Sequence, residues 1–231
     1  LAGGAAASYW LIGGVASRPG RRLARKHVVA RVRTRQPHIA LTFDDGPDPV
    51  YTQLVVDALG AGGAAATFFV LGANARLHPH IVRHSLSAGH EIASHGFAHD
   101  RLTRLTPRRT VGDLRAASTA IVDATAGVAP RFYRPPHGLF NLAAWHAAPR
   151  LGMERALWSR SARDWAVGET PDSVARRVLD GVGAGEVVLL HDAGGFDGRA
   201  AVTADALPLI LAGLRRKGLI PVTLSQLVDR A

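Results

Sequence analysis

Two carboxylates stand side by side in "LTFDDGPDP", residues 41–49: Asp44 and Asp45 follow an apolar run and precede Gly46-Pro47. Neighbouring side chains on a regular strand point to opposite faces, and like charges in one pocket raise each other's pKa. Two acids serve one site only where strand alternation lapses, as at the turn that Gly46-Pro47 forces, and where a cation neutralises one of them and leaves the other as a base. Alone, the segment reads equally well as a turn with Asx capping. Further on, "SHGFAHD" carries His95 and His99 four residues apart. On a helical turn such a pair shares a face and grips one cation. An Asp from another strand end supplies a third ligand. Two His and one carboxylate with open positions describe a hydrolytic metal site. A non-haem iron site uses the same ligand types, so ligand count leaves the metal open.

These residues need elements that bring them together. From His38 onward, short β-prone runs end in polar or Gly/Pro residues and helical stretches follow. The candidate strands are 39–43, 66–71, 90–94, 131–134, 155–159, 186–191 and 220–224. Helices are expected within 48–63, 74–89, 106–127, 170–185 and 203–218, the third with Thr106 as N-cap, Pro107 at N1 and Gly127 as stop. Seven strands alternating with helices predict an α/β fold, a parallel barrel or an open doubly wound sheet. Five strand ends carry reactive side chains: Asp44-Asp45, His95 with His99, "RPPHG" from Arg134, "SARDW" ending at Asp164-Trp165, and "LLHD" from Leu189. Parallel barrels collect their active sites at that face, and this periodic placement argues more strongly than any single motif.

The chain has 231 residues, 47% of them hydrophobic, enough for one α/β domain with a sizeable core. It has no cysteine, which excludes disulfides, thiolate zinc sites and cysteine nucleophiles. The net charge of +10 suits attraction to a polyanion such as nucleic acid, an anionic membrane face or an acidic cell wall. An Arg- and Ala-rich composition with solvated charges is the plainer reading. Much of the excess lies in residues 18–35, away from the reactive segments, and no aromatic-rich RNA motif accompanies it, so no nucleic-acid partner is expected. The chain starts at Leu1, which reads as a truncated beginning. Residues 1–17 are apolar and uncharged with a basic flank, and read as the remnant of a membrane anchor or export signal; a small-residue helix packed on the domain is the other reading. The expected organisation is this segment, a basic linker or first element over 18–37, and one catalytic domain over 38–231, acting as a monomer.

In order and spacing, "TFDDGP", "HGFAH", "RPPHG", "DW" and "LLH" resemble the motifs of the polysaccharide deacetylase family, the NodB-homology or carbohydrate esterase 4 group. The resemblance covers roughly residues 38–228. It implies a distorted (β/α)7 barrel and metal-dependent removal of N-acetyl groups from N-acetylglucosamine-containing glycans of the cell envelope, or chitin-like ones, with release of acetate. By motif, Asp44 resembles the catalytic base, Asp45, His95 and His99 the ligands of one divalent metal ion, and His191 the general acid. The resemblance implies zinc, with cobalt or nickel as alternatives. Arg134 resembles the arginine that holds the base, and Asp164 the carboxylate that orients the acid. Pro136, His137, Trp165 and Leu189 resemble substrate-binding residues, with the backbone N–H of His137 at the oxyanion-donor position.

Three positions depart from the family pattern: Gly96 stands where Ser or Thr is common, which removes a supporting hydrogen bond, His137 replaces an aromatic residue, and Ser161 replaces an Asp. Esterase action on acetylated xylan, C–N hydrolysis of a small cyclic amide, and a binding protein without catalysis are the competing functions. Taken singly, Trp165 reads as core and Arg134 as a surface charge, and His78, His80, His84, His90 and His146 read as solvated.

Overall fold

A computed structural model of the chain describes residues 27–194 and 199–231. The apolar segment 1–17 and the basic residues 18–26 lie outside the described residues. Among those described, no helix is long and apolar enough to cross a membrane.

The first strand, β1 (His38–Asp44), is buried on both faces, as parallel strands covered by helices are. Ile39, Leu41 and Phe43 face the helices, in one cluster with Phe68, Val188, Leu190, Ile210 and Leu214. Ala40 faces the other way, in an inner cluster with Phe69, Ala93, Phe132 and Val187. The period of two then sets which way the strand-end side chains point. Asp44 continues the inner series from Ala40 and Thr42, His95 that from Ala93, Arg134 that from Phe132, and His191 that from Val187 and Leu189.

Seven further strands complete the sheet: β2 (Thr67–Val70), β3 (Glu91–Ser94), β4 (Phe132–Tyr133), β5 (Glu154–Arg155), β6 (Arg160–Ser161), β7 (Val187–His191) and β8 (Ile220–Val222). Their order is β5-β4-β3-β2-β1-β7-β6, with β8 also paired to β1, and every pairing is parallel. This curled parallel sheet with helices outside is the (β/α)7 type.

The strand expected over 155–159 is instead two short strands with a crossing between them. Ala156 donates to the Tyr133 carbonyl on one side, and Ser159 donates to that of Val187 on the other. Val29 lies in the seam, its N–H on the Arg155 carbonyl and its carbonyl accepting from Leu157. Residues 27–37, expected as a linker or first element, thus run against the barrel, with Val28 in the core.

The helices are α1 (Tyr51–Ala61), α2 (Gly72–Leu77), α3 (Pro79–Ser87), α4 (Pro107–Ala124), α5 (Leu142–Arg150), α6 (Pro171–Leu179), α7 (Arg199–Arg216) and α8 (Leu224–Asp229). The helix expected within 74–89 is two helices. His78 precedes a proline, which disfavours helical backbone at that residue, and it sits at φ −128°, ψ 53°. Thr106 caps α4 as expected, accepting from the Arg109 N–H.

Candidate active site

Asp44 ends β1 on the inner face and is 2% exposed. Its Oδ1 accepts from Arg134 Nη1 at 2.5 Å. Arg134 is fully buried, not the surface charge that the residue type alone suggests. It also donates to Thr42 Oγ1 at 3.0 Å and to the Leu157 carbonyl at 2.9 Å, and its guanidinium lies over the Phe69 ring at 3.9 Å. A buried charge needs such partners.

Asp45 would point outward if β1 ran straight. Its φ of +79° breaks the alternation and turns its carboxylate inward. Asp45 Oδ1 lies 3.5 Å from His95 Nε2 and 3.3 Å from His99 Nε2. His95 Nδ1 faces the Arg134 carbonyl at 2.9 Å. A carbonyl only accepts, so Nδ1 carries the proton and Nε2 of the neutral ring offers a lone pair. Burial pushes both histidines down in pKa, towards that neutral form, despite the nearby Asp charges. Asp45 Oδ1 is buried and has no hydrogen-bond donor among the described residues. Electron-pair donors thus face one another with no proton to share, the arrangement that a cation satisfies. Ligand atoms of Asp45, His95 and His99 lie within 4.8 Å of one another. The residues fit a divalent ion.

His191 ends β7, in register with Asp44. Its Nδ1 lies 2.9 Å from Asp164 Oδ1, and its backbone N–H donates to Asp164 Oδ2 at 2.7 Å. Thr203 also donates to Oδ2 at 2.7 Å. Burial alone would lower the His191 pKa, but the hydrogen bond to Asp164 and the charges of Asp164, Asp44 and Asp45 hold it up at about 9. The ring is therefore protonated at neutral pH, with Nδ1 committed to Asp164 and Nε2 left as the proton donor.

Asp44, Asp45, His95, His99, Asp164 and His191 line one cavity of about 500 Å³, together with His137, Gly138, Trp158, Trp165 and Leu189. Trp165 meets the His191 ring edge-on at 5.3 Å, and His137 meets His99 at 4.7 Å. His137 has φ +58°, and Pro136 beside it is buried. Sequence reasoning missed Trp158, Thr42 and Thr203. The signal for Trp158 lay in Gly138: a Cβ there would stand 2.6 Å from the indole, at φ +69°. Asp192, which ends the "LLHD" segment but had no role assigned to it, is fully buried, accepts from Thr52 at 2.5 Å and lies close against Gly46.

A buried carboxylate, a paired imidazole and a cluster of possible metal-ligand atoms thus meet in one cavity at the strand ends of a parallel barrel. The family model for polysaccharide deacetylase matches residues 31–156. A peptidoglycan-N-acetylglucosamine deacetylase of Bacillus cereus is 35% identical over 204 residues, covering 87% of this chain and 93% of the relative. A chitooligosaccharide deacetylase of Sinorhizobium fredii is 35% identical over 84% of this chain and 88% of its own. Among solved structures, the Bc1960 peptidoglycan N-acetylglucosamine deacetylase superposes with a TM-score of 0.84 at 29% identity, over 91% of this chain and 97% of that one. A family 4 carbohydrate esterase from Streptomyces lividans, in complex with acetate, gives 0.73 at 32% identity, over 80% and 91%. The chain belongs to the polysaccharide deacetylase family and is an enzyme of that metal-dependent class.

Proposed function

We propose that this enzyme removes N-acetyl groups from N-acetylglucosamine-containing glycans, peptidoglycan-like or chitooligosaccharide, at the cell envelope or outside the cell. The catalytic domain spans 38–231 with residues 27–37 packed on it, and the apolar segment 1–17 serves membrane association or export. One observation carries the assignment of roles. Asp44 and His191 stand in register beside the ligand atoms of Asp45, His95 and His99, and each is held by its own buried partner.

Asp45, His95 and His99 hold a divalent ion, for which zinc suits the mixed imidazole and carboxylate set and cobalt or nickel are alternatives. When bound, it supplies Lewis-acid polarisation of the amide carbonyl and a lowered pKa for water. Arg134 occupies Asp44 Oδ1, so Oδ2, 3.7 Å from His95 Nε2, is the oxygen that takes the proton from the attacking water. The backbone N–H of His137, a residue of the cavity lining, donates to the oxyanion that develops. His191 then gives its Nε2 proton to the departing sugar nitrogen, which as an amide nitrogen is a poor leaving group until protonated. Trp165 and Leu189, which line the cavity, close it around the acetyl group and the sugar, and Pro136 lies buried beside His137.

The test is mass spectrometry of chitooligosaccharides, peptidoglycan fragments and acetylated xylan after incubation with the zinc-loaded protein. Loss of acetyl groups from the amino sugars, with matching acetate and sensitivity to chelation, is expected. Acetate from xylan alone, or ring opening of a cyclic imide with no acetate, overturns the proposal in favour of the other hydrolase readings.

A further inference from the structure

His95 and His99 do not lie on a helical turn. Residues 95–100 form a bent loop in which Gly96 has φ +83° and His99 φ +59°. A helical i, i+4 pair is spaced by the helix's own hydrogen-bond ladder. This pair has no ladder, so its spacing depends on groups outside the loop.

Two elements reach it. On one side, the first N–H groups of α2, at Gly72 and Ala73, donate to the carbonyls of Gly96 and Phe97 at 2.9 Å each. On the other, Asp113 of α4 accepts the N–H of Phe97 on both carboxylate oxygens, at 3.2 Å to each. The Ala98 N–H also acts on this carboxylate. Asp113 is half-buried and forms no salt bridge among the described residues, and the charge that acts on it is that of another acid, Asp100. A carboxylate there loses hydration without gaining a cation; what it gains is the backbone of the ligand loop. Gly96 admits it: a Cβ at that residue would lie 2.9 Å from Asp113 Oδ2.

We propose that Asp113 is a positioning residue of the metal centre, whose carboxylate, admitted by Gly96, sets the separation of the His95 and His99 ligand atoms. The inference rests on reading Asp45, His95 and His99 as the metal site. Ligand-orienting groups of this kind typically carry a 10–100-fold effect on metal affinity.

The test titrates Co²⁺ and Zn²⁺ into metal-free full-length wild type, Asp113→Ala and Asp113→Asn, with circular dichroism as the check on folding. Asp113→Ala is expected to bind both ions about 10–100-fold more weakly and to show a shifted Co²⁺ visible spectrum. Asp113→Asn, whose amide oxygen still accepts one N–H, should fall between it and wild type. A purely structural role would not move the Co²⁺ bands of a folded variant. Wild-type affinity and spectrum in folded Asp113→Ala overturn the proposal; if that variant does not fold, the same result in Asp113→Asn does so. A wild type that binds neither ion overturns the metal reading itself, an outcome distinct from any difference between variants.

Discussion

Asp44 and His191 stand opposite one another in register across β1 and β7, yet each is held by a different buried partner. Arg134 takes one oxygen of Asp44, and Asp164 takes one nitrogen of His191, so each residue keeps one atom for the cavity. On the proposed mechanism, proton removal and proton delivery fall to neighbouring strand ends that stay chemically separate.

The paired acids are expected to fail differently. Asp45→Asn replaces an anionic ligand with a neutral one, so metal content should fall and excess metal should recover part of the rate. Asp44→Asn keeps the ligand set but takes no proton from water. It should retain metal and turn over at least ~10²-fold more slowly, with no rescue. Elemental analysis beside kcat decides: equal metal loss in both variants makes Asp44 a ligand. Asp44 is a core residue and not a solvent-facing strand end, so its amide variant should also unfold at lower denaturant than the Asp45 variant.

Removing Arg134 should cost both fold and function. Arg134→Met leaves Asp44 as a buried carboxylate without its cation, a loss of about 3–5 kcal/mol for pairs of this kind. Arg134→Lys keeps the charge but cannot reach Thr42, Asp44 and the Leu157 carbonyl together. Urea unfolding should rank wild type above Lys and Lys above Met. Equal stability of all three would refute the role given to this pair.

The alkaline limb of the rate should belong to His191. Its pKa, held at about 9, lies above the ordinary histidine value, so the acid form fails as pH rises through that range. Stabilisation from the same pairing is complete below pH about 6.5 and is lost as pH rises through the folded value. A cation on Asp45 cancels one of the charges that raise it, so the loaded enzyme should titrate lower than the metal-free protein. Asp164→Asn should move the limb towards neutrality, and His191→Ala should cut kcat by roughly 10²–10⁴-fold with metal retained. A limb unmoved by Asp164→Asn assigns it to another group.

Much of this site was legible because strand periodicity acts locally. Counting by twos from Ala40, Ala93, Phe132 and Val187 reaches Asp44, His95, Arg134 and His191. The turn at Gly46-Pro47 also announced that Asp45 could rejoin its neighbour. The split around 155–159 was not legible, because it depends on Val29 entering the seam from more than a hundred residues away. Asp113 was hidden likewise: within α4 it is an ordinary polar position, and only the packing of α4 and α2 on the ligand loop gives it a purpose. The break at His78-Pro79 was readable from the proline alone.

The last expectation concerns His90, which residue type and flanking sequence place among the solvated histidines. The structure buries it at the base of β3, 4% exposed, with its ring edge-on to Phe68 at 5.4 Å. Neither ring nitrogen has a hydrogen-bond partner among the described residues. Burial, and then the charge of His84, lower its pKa to about 4. The folded state therefore keeps the ring neutral over a range in which the unfolded chain protonates it. Above the ordinary histidine value the two states bind the same number of protons and nothing is lost. As pH falls from about 6.5 towards 4, the unfolded state takes up the extra proton and stability declines, at most about 1.4 kcal/mol per pH unit. His90→Leu removes the titrating group and two unpaired polar atoms, and fits an apolar setting. It should flatten the acid side of the stability curve while leaving Co²⁺ affinity unchanged, since the residue sits at the opposite end of β3 from His95. Urea unfolding at pH 7.5 and pH 5 for both proteins isolates the effect, because every other titrating group cancels in the double difference. An equal loss of stability in wild type and His90→Leu would mean that the ring is hydrated in solution and that the acid sensitivity of the fold lies elsewhere.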